Sequence, residues 1–166
     1  MLGGEYDMIG FGGGCHWCTE AVFQSLRGVA RVEQGFIRST PPYDYFSEAV
    51  IVHFHPTQIS LSVLTDIHLR THASGANHSM RGKYRSAIYV KGEAQRQDIE
   101  DILGALQVEF ETPRVTQILD YAGFKPSEVH FQNYYKSNPE RPFCKTYIDP
   151  KLSRMRKRYG AYVQDG

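Results

Sequence analysis

The chain has 166 residues, of which 41% are hydrophobic and 22% are charged, and its formal net charge is +1. This length fits a single domain, residues 1–166, that can bury a core without disulfide staples. The nearly balanced charge gives no electrostatic reason to expect nucleic acid or a membrane surface as a partner, and no apolar run approaches the roughly 18 residues of a membrane span.

The predicted elements alternate irregularly between strands and helices. Short β-rich runs that stop at glycine or proline predict strands, whereas apolar residues at helical spacing predict helices. Ser60 is the expected cap of one helix and Ser127 of another. Without strict βαβ alternation, the pattern favours an α+β layered domain. Strands are predicted at 5–11, 29–37, 48–54, 84–90 and 114–119, helices at 18–28, 60–70, 93–110, 127–136 and 150–159, and a loop at 73–83.

The cysteine content and the first residues bear on the cellular location. The chain has three cysteines, so at least one has no intramolecular partner and a structural disulfide framework is not expected. The first basic residue is Arg27, so the charged start of a secretory signal is missing. We therefore expect a cytoplasmic protein whose cysteines are catalytic, metal-binding or inert.

Residues 10–18 read GFGGGCHWC and place a thiol directly after the most glycine-rich part of the chain. A strand, a glycine turn and a helix in this order put Cys15 at or near the first turn of the helix. There the unpaired N–H groups and the helix dipole favour an anion. Cysteines so placed can have pKa values lowered to about 3.5–7.5. Although most cysteines are buried and inert, this position predicts that Cys15 is an activated thiol.

Three chemistries fit this stretch to different degrees. A dinucleotide-binding loop is disfavoured because the glycine fingerprint needs Gly or Ala at the position of Cys15. A zinc site that includes Cys18 needs four ligands, and the chain has no second C-x-x-C, although two pairs of closely spaced histidines, 53/55 and 68/72, could contribute. Thiol redox chemistry requires only that Cys18, one helical turn away, attacks an oxidised Cys15. A thioredoxin-like oxidoreductase is the nearest general form of that chemistry.

Five blocks distributed over most of the chain form a recognisable set. They are GGGCHWCTEAVF (12–23), GV…V…GF (28–36), SEAVIVHFHPTQIS (47–60), YRSAIY (84–89) and PFCKTYIDPKLSRMRK (142–157). Together they resemble the peptide methionine sulfoxide reductase A (MsrA) family: the first is similar to its G-C-F-W-[CG] signature and the third to its H-x-E-x-V segment. The resemblance implies a two-layer sandwich of a mixed β-sheet with packed helices. It also implies reduction of the S-epimer of methionine sulfoxide, free or in proteins, without a metal or an organic cofactor.

The resemblance also implies roles for residues around the thiol. Cys15 would be the nucleophile, and Trp17 would be a wall of the pocket for the substrate methyl group. His16 and Phe36 occupy further substrate-binding positions. His16 could stack against the methyl group or, when protonated, lower the pKa of Cys15.

By the same resemblance, Glu48 would be the acid and Tyr84 a donor to the sulfoxide oxygen. Glu48 begins the apolar run AVIVHF, where burial would keep a carboxyl group protonated, as a proton donor requires. The alternative for Glu48 is a strand-edge charge that opposes aggregation. The alternative for Tyr84, and for Trp17, is an ordinary place in the core.

Two further thiols are candidates for regenerating the enzyme. Cys18 lies within disulfide range of Cys15 on any helical turn, whereas Cys144 lies far along the chain in a proline-bounded segment that we expect to be a loop. The family uses both positions. We expect Cys18 to be the first resolving cysteine, with Cys144 relaying the disulfide or idle, and thioredoxin or another dithiol as the external reductant.

The sequence departs from the family pattern at several positions. His16 stands where the family has Phe, and Phe36 stands where it has a pocket Tyr. The family's G-N-D-x-G-T-Q-Y appears as ANHSMRGKY (76–84), so that its Asp falls on His78 or Ser79. These changes bear on substrate range and rate. Two other classes stay open on the residues alone: a thioredoxin-like thiol-disulfide oxidoreductase and a non-enzymatic Cys/His metal-binding module.

Overall fold

The structure is a computed structural model that describes residues 7–13, 16–71, 85–107 and 116–163. Among these residues, no helix is long and apolar enough to cross a membrane. The strands are β1 Asp7–Gly12, β2 Val29–Arg38, β3 Ser47–Phe54, β4 Ala87–Val90, β5 Gln117–Asp120 and β6 Gly123–Pro126. The helices are α1 His16–Gln24, α2 Leu61–Thr71, α3 Glu93–Gln107, α4 Tyr134–Ser137 and α5 Asp149–Tyr159. Turns of 3₁₀ helix cover Val129–Phe131 and Gly160–Tyr162, and a π-helical turn covers Cys144–Ile148.

The strands form one strongly curled mixed sheet in the order β5-β4-β1-β3-β2-β6. β4 and β5 pair in parallel, and the other neighbours pair antiparallel. β5 and β6 lie at opposite edges, yet only Tyr121 and Ala122 separate them in the chain. The N–H of Tyr121 donates to Val90 O at 3.0 Å and the N–H of Ala122 to Arg38 O at 2.9 Å, so this short connection holds both edges. The sheet has to curl for so short a connection to join its two edges.

Each face of the curled sheet has its own apolar core. Val50, Val52 and Phe54 of β3 meet the apolar sides of α1, α2, α3 and α5 in the larger core. The intervening residue Ile51 joins Tyr89 in a smaller core on the opposite face. Successive side chains of a strand point to opposite faces, which explains this division. Glu48 lies two residues before Val50 on the same strand, so its side chain points to the same face of the sheet, toward the helices.

The predicted α+β fold class is confirmed, and most predicted elements lie close to their expected bounds. Ser60 caps α2 as expected, because its Oγ accepts the backbone N–H of Val63 at 3.1 Å. α1 ends at Gln24 and not at Gly28, which has a φ of 87° and lies in the turn before β2. The loop predicted at 73–83 lies outside the described residues.

Prediction and structure differ most in the C-terminal third. The helix predicted at 127–136 is wrong, since a 3₁₀ turn is followed by Asn133 in the left-handed conformation, with φ 54°, and then by α4. Ser127 is not its cap, and its Oγ has no hydrogen-bond partner among the described residues. The strand β6 was not predicted, and Cys144 lies in a π-helical turn instead of a loop. Elements of three to five residues are too short to show a sequence period, which explains these errors.

Candidate active site

The glycine turn before α1 is described only in part. Gly13 follows β1 with a φ of 137°, a conformation that L side chains rarely adopt, and α1 begins at His16. A strand and a helix therefore flank the glycines, as the sequence predicts. The candidate nucleophile Cys15 and the candidate donor Tyr84 lie outside the described residues, and their roles stay predictions.

Glu48 is a buried carboxyl group beside the start of α1. The residue is 8% exposed and lies on β3, opposite Phe36 of β2. Its Oε1 accepts the backbone N–H of His16 at 3.2 Å and lies 3.5 Å from Nε2 of that residue. Because His16 directly follows Cys15 in the chain, the candidate acid contacts the backbone adjacent to the candidate nucleophile.

The His16 ring fills a buried position between α1 and β2. Its Nδ1 lies 2.8 Å from Gly35 O, and the ring of Phe36 meets it edge-on with centroids 5.3 Å apart. A Cβ on Gly35 would collide with Lys125 O of β6, so glycine at this position lets β6 lie against β2. The structure thus brings together two of the candidate substrate-binding residues, His16 and Phe36, with the candidate acid Glu48.

Trp17 belongs to an aromatic cluster that links α1 to the C-terminal part of the chain. Its ring stacks on Tyr134 with centroids 4.1 Å apart and planes 7° apart, and it also contacts Phe131 and Phe143. The guanidinium of Arg141 lies 4.2 Å from the centre of the Tyr134 ring. Trp17 is only half-buried, so part of its surface remains available beside this cluster.

Glu20 is a second buried carboxylate, which the sequence analysis did not single out. It is 1% exposed and accepts hydrogen bonds from Gln34 Nε2 at 2.8 Å and from the backbone N–H groups of Asn133 and Tyr134 at 2.9 and 3.2 Å. Burial raises the pKa of Glu20, and these hydrogen bonds partly oppose that rise. Glu20 follows His16 by four residues and therefore lies on the same face of α1, and this spacing is the sequence feature that indicates its burial. Through these bonds Glu20 fixes the backbone that holds Tyr134 against Trp17.

Cys18 and Cys144 lie in the core shared by the sheet and the helices, and both are thiols. Cys144 is 0% exposed, and its Sγ donates to Asn138 O at 3.7 Å. Burial raises the pKa of Cys144, and the nearby guanidinium of Arg141 partly opposes that rise. Both thiols lie in the core where α1 packs against the π-helical turn, which brings these parts of the chain together although they are far apart in the sequence.

Arg85 is a further buried residue that the sequence analysis did not identify. It is 2% exposed, and its guanidinium donates to Tyr89 Oη at 3.0 Å, Ile37 O at 3.1 Å and Tyr45 O at 3.3 Å. Its backbone N–H donates to Ser47 Oγ at 3.0 Å. Arg85 therefore anchors the loop that leads into β3, immediately before Glu48. In the sequence, the only feature that indicates a special role for Arg85 is its position at the start of a β-rich run.

Two of the histidines that could have supplied a metal site, His53 and His68, make other contacts, and His72 lies outside the described residues. His53 Nε2 lies 3.0 Å from Glu33 Oε2. His68 Nε2 lies 2.9 Å from Gly12 O and donates a hydrogen bond to it, since a carbonyl oxygen can only accept. Within the described ranges, no group of three or more His, Cys, Asp or Glu residues could hold a metal ion.

The described side chains can perform acid chemistry next to an apolar surface. A carboxyl group and an imidazole face each other at the start of α1, aromatic rings adjoin them, and two thiols lie in the core below. With Cys15 as neighbour in the chain, this set suits attack by a thiolate on a polar group whose oxygen must gain a proton.

Comparison with known proteins gives one consistent result. The family described as peptide methionine sulfoxide reductase matches residues 7–162. The peptide methionine sulfoxide reductase MsrA of Deinococcus radiodurans is 39% identical over 176 residues, which cover 95% of this chain and 84% of that protein. A methionine sulfoxide reductase A structure from Corynebacterium diphtheriae superposes with a TM-score of 0.69 at 26% identity, covering 84% of this chain and 79% of that one. Mxr1 from Saccharomyces cerevisiae in complex with Trx2 has the same fold, with a TM-score of 0.63 at 21% identity over 78% of this chain and 85% of that one.

Proposed function

The chain belongs to the peptide methionine sulfoxide reductase family, and from that membership we propose that it is a thiol-dependent enzyme that reduces methionine S-sulfoxide to methionine with Cys15 as its nucleophile. One observation carries the assignment of the site: the buried carboxyl group of Glu48 accepts the N–H of His16, the residue that follows Cys15. A carboxyl group at that place is positioned to protonate an oxygen on the atom that Cys15 attacks.

The reaction transfers the sulfoxide oxygen to the thiol. The Cys15 thiolate attacks the sulfoxide sulfur, Glu48 gives a proton to the oxygen, and Tyr84 donates a hydrogen bond to it. Methionine leaves, and Cys15 retains the oxygen as a sulfenic acid. In sum, one thiol and one sulfoxide become one sulfenic acid and one thioether, so the proton lost by Cys15 ends on the transferred oxygen. Trp17 and Phe36 supply the apolar surface for the substrate methyl group.

A second thiol then condenses with the sulfenic acid and releases water. We assign this step to Cys18, which lies in α1 and follows Cys15 by three positions in the sequence. Because both thiols are buried, position in the chain distinguishes them: Cys144 has to reach Cys15 from a distant segment, and burial raises its pKa. As the neighbour of Cys18 in the core, Cys144 is suited to receive the disulfide in a second exchange.

The external reductant that we propose is a thioredoxin, which reopens the disulfide by thiol exchange. The yeast protein of the same fold was crystallised in complex with Trx2. Since all three cysteines have to start as thiols, we further propose that the enzyme acts in the cytoplasm and repairs methionine residues after oxidative stress. The mechanism needs neither a metal nor an organic cofactor.

The test is turnover of a methyl sulfoxide with dithiothreitol, with the two sulfur epimers assayed separately. We expect the S-epimer to be reduced and the R-epimer to be left unchanged. Cys15→Ser should reduce neither epimer while its thermal unfolding matches that of the wild type. Appreciable reduction by Cys15→Ser, or reduction of protein disulfides without any sulfoxide turnover, would replace this proposal with a thioredoxin-like activity.

A further inference from the structure

We propose that His16 and Glu48 hold one proton between them, and that this pair, instead of Glu48 alone, supplies the proton that ends on the sulfoxide oxygen. The proposal rests on the function proposed above and adds a residue to it. His16 acts through Glu48 and is therefore a positioning residue for the proton. A phenylalanine, which stands at this position in the family signature that the sequence resembles, cannot share a proton.

The contacts of the His16 ring fix where its protons lie. A backbone carbonyl oxygen can only accept a hydrogen bond, so Nδ1, 2.8 Å from Gly35 O, must carry a hydrogen. Neutral His16 therefore has its lone pair on Nε2, the nitrogen that lies 3.5 Å from Glu48 Oε1. When the pair holds one proton, it lies on either Nε2 or the carboxyl group, and both arrangements keep the bond to Gly35.

The buried surroundings of His16 and Glu48 favour sharing of the proton between the two side chains over its transfer to water. The side chains of His16 and Glu48 are 7% and 10% exposed, so water screens their interaction only slightly. The separation of 3.5 Å is longer than a hydrogen bond, and catalytic contacts of this kind often shorten only when substrate is bound.

The elements packed around the pair also carry charged side chains. On α1, Glu20 lies one turn further along, where Gln34 and the backbone at 133–134 occupy its oxygens. β2 contributes Gly35 and Phe36, which do not titrate. On β6, Lys125 is opposite Phe36, and its side chain is exposed. In the sequence, Cys15 directly precedes the pair.

The proton count of the reaction fits a pair that carries one proton. Cys15 must lose one proton to attack, and the sulfoxide oxygen must gain one before methionine leaves. A pair that takes up the first and delivers the second starts and ends each turnover in the same state. An imidazole is a stronger base than a carboxylate, so His16 offers the proton a second site beside Glu48.

The experiment measures single turnover, with one equivalent of methionine S-sulfoxide and no reductant, as a function of pH. In the wild type we expect the rate to decline on the alkaline side through a histidine-like pKa. His16→Asn keeps a donor to Gly35 O but removes the nitrogen that faces Glu48, and His16→Phe restores the residue of the family signature. Both should move the alkaline decline to lower pH and leave the rate on the acid side of the profile unchanged, because the proton then has only the carboxyl group as its site.

A matched control is His53→Asn, in the pair with Glu33 on the same sheet, which should leave the profile unchanged. An unchanged alkaline decline in both His16 variants, or an equal loss of rate at every pH, would overturn the proposal and give His16 a purely structural role. If the wild-type protein reduces no sulfoxide at all, the result instead contradicts the proposed function itself.

A second measurement begins with the wild-type protein and adds one variant that keeps the shape of the side chain. Long-range ¹H–¹⁵N correlation spectra distinguish the two neutral tautomers of histidine. We expect neutral His16 to carry its hydrogen on Nδ1, and its titration to change in Glu48→Gln. A hydrogen on Nε2 in the neutral ring, or a titration that is the same in Glu48→Gln, would contradict the shared proton.

Discussion

The two sides of the site are built from different kinds of structure. Glu48 and His16 lie on β3 and the first turn of α1, where the sheet and a helix hold them through backbone bonds. The side that carries Cys144 consists of a 3₁₀ turn, the four residues of α4 and a π-helical turn. Side-chain contacts connect this side to the rest of the molecule and its turns to each other, such as the bonds of Glu20 to the backbone N–H groups of Asn133 and Tyr134 and the bond from Tyr135 Oη to Asp149 Oδ1 at 2.6 Å.

This difference corresponds to two demands of the proposed reaction. A proton donor must keep its distance to the reacting oxygen, and positions on strands and helices provide that accuracy. A thiol that relays a disulfide must approach first one sulfur and then another, so it needs a backbone whose local bonds open at low cost. π-helical turns are often found at functional sites, and the one at Cys144 is consistent with this need. The following changes test this division, from the largest expected effect to the smallest.

Glu48→Gln should slow the chemical step most, because it removes the proton but keeps the shape of the side chain. General acid catalysis contributes about 10²–10⁴-fold, and we expect a loss of that order in single turnover. Glu33→Gln is the matched control, since Glu33 also faces a histidine on this sheet, at 3.0 Å from His53. A Glu48→Gln rate within a few-fold of wild type would show that the sheet side of the site is structural only.

Cys18→Ser and Cys144→Ser should separate chemistry from regeneration. Neither change should alter the rate of the first turnover. Thioredoxin-driven turnover should fall by about 10-fold or more in Cys18→Ser, because disulfide formation requires a thiolate close to the oxidised Cys15. Cys144→Ser should lose less. Peptide mass spectrometry after one sulfoxide equivalent should find the Cys15–Cys18 bridge first. Fast formation of a Cys15–Cys144 bridge, with full turnover in Cys18→Ser, would give the resolving role to Cys144.

Glu20→Gln should loosen the connection between the two sides. The amide can accept fewer hydrogen bonds than the carboxylate, so it leaves one of its three donors, Gln34 or the N–H groups of Asn133 and Tyr134, poorly paired. A buried unpaired group costs about 1–3 kcal/mol, and urea unfolding should report a loss near 2 kcal/mol. We expect KM to rise several-fold through the Trp17 cluster. Glu128→Gln, on an exposed carboxylate, is the control and should change neither value.

Tyr135→Phe should have the smallest effect, and one that depends on pH. The hydrogen bond to Asp149 raises the pKa of Tyr135 to about 12, so the native state favours the neutral phenol. The stability gained is therefore complete below the unfolded pKa of about 10 and disappears as the pH rises through the native value. We expect a loss of about 1 kcal/mol at pH 8 that vanishes by pH 12.

The control for that change is Tyr147→Phe in the same segment, because the Tyr147 side chain is 56% exposed. It should alter stability by less than about 0.5 kcal/mol. A Tyr135→Phe loss that is the same at both pH values would show that the ring and not the hydrogen bond stabilises this side.

The sequence alone determined the regular part of the molecule, and it named the reactive groups that remain predictions. The continuous apolar run predicts β3, which is buried along its whole length, and apolar residues at a spacing of 3.6 predict α3. The glycine turn predicts that Cys15 is the nucleophile, and the resemblance to the family predicts that Glu48 is the acid. These signals are local, and local patterns need no tertiary partner to be recognised.

Only the tertiary structure decided which residues meet. The bond between His16 and Glu48 spans 32 positions, and that between Glu20 and Asn133 spans 113. The strand β6 forms because β2 provides an edge for it, and Cys144 reaches the neighbourhood of Cys18 through a short π-helical turn. Contacts between distant residues depend on how the curled sheet and the helices pack, and no period in the chain encodes that packing.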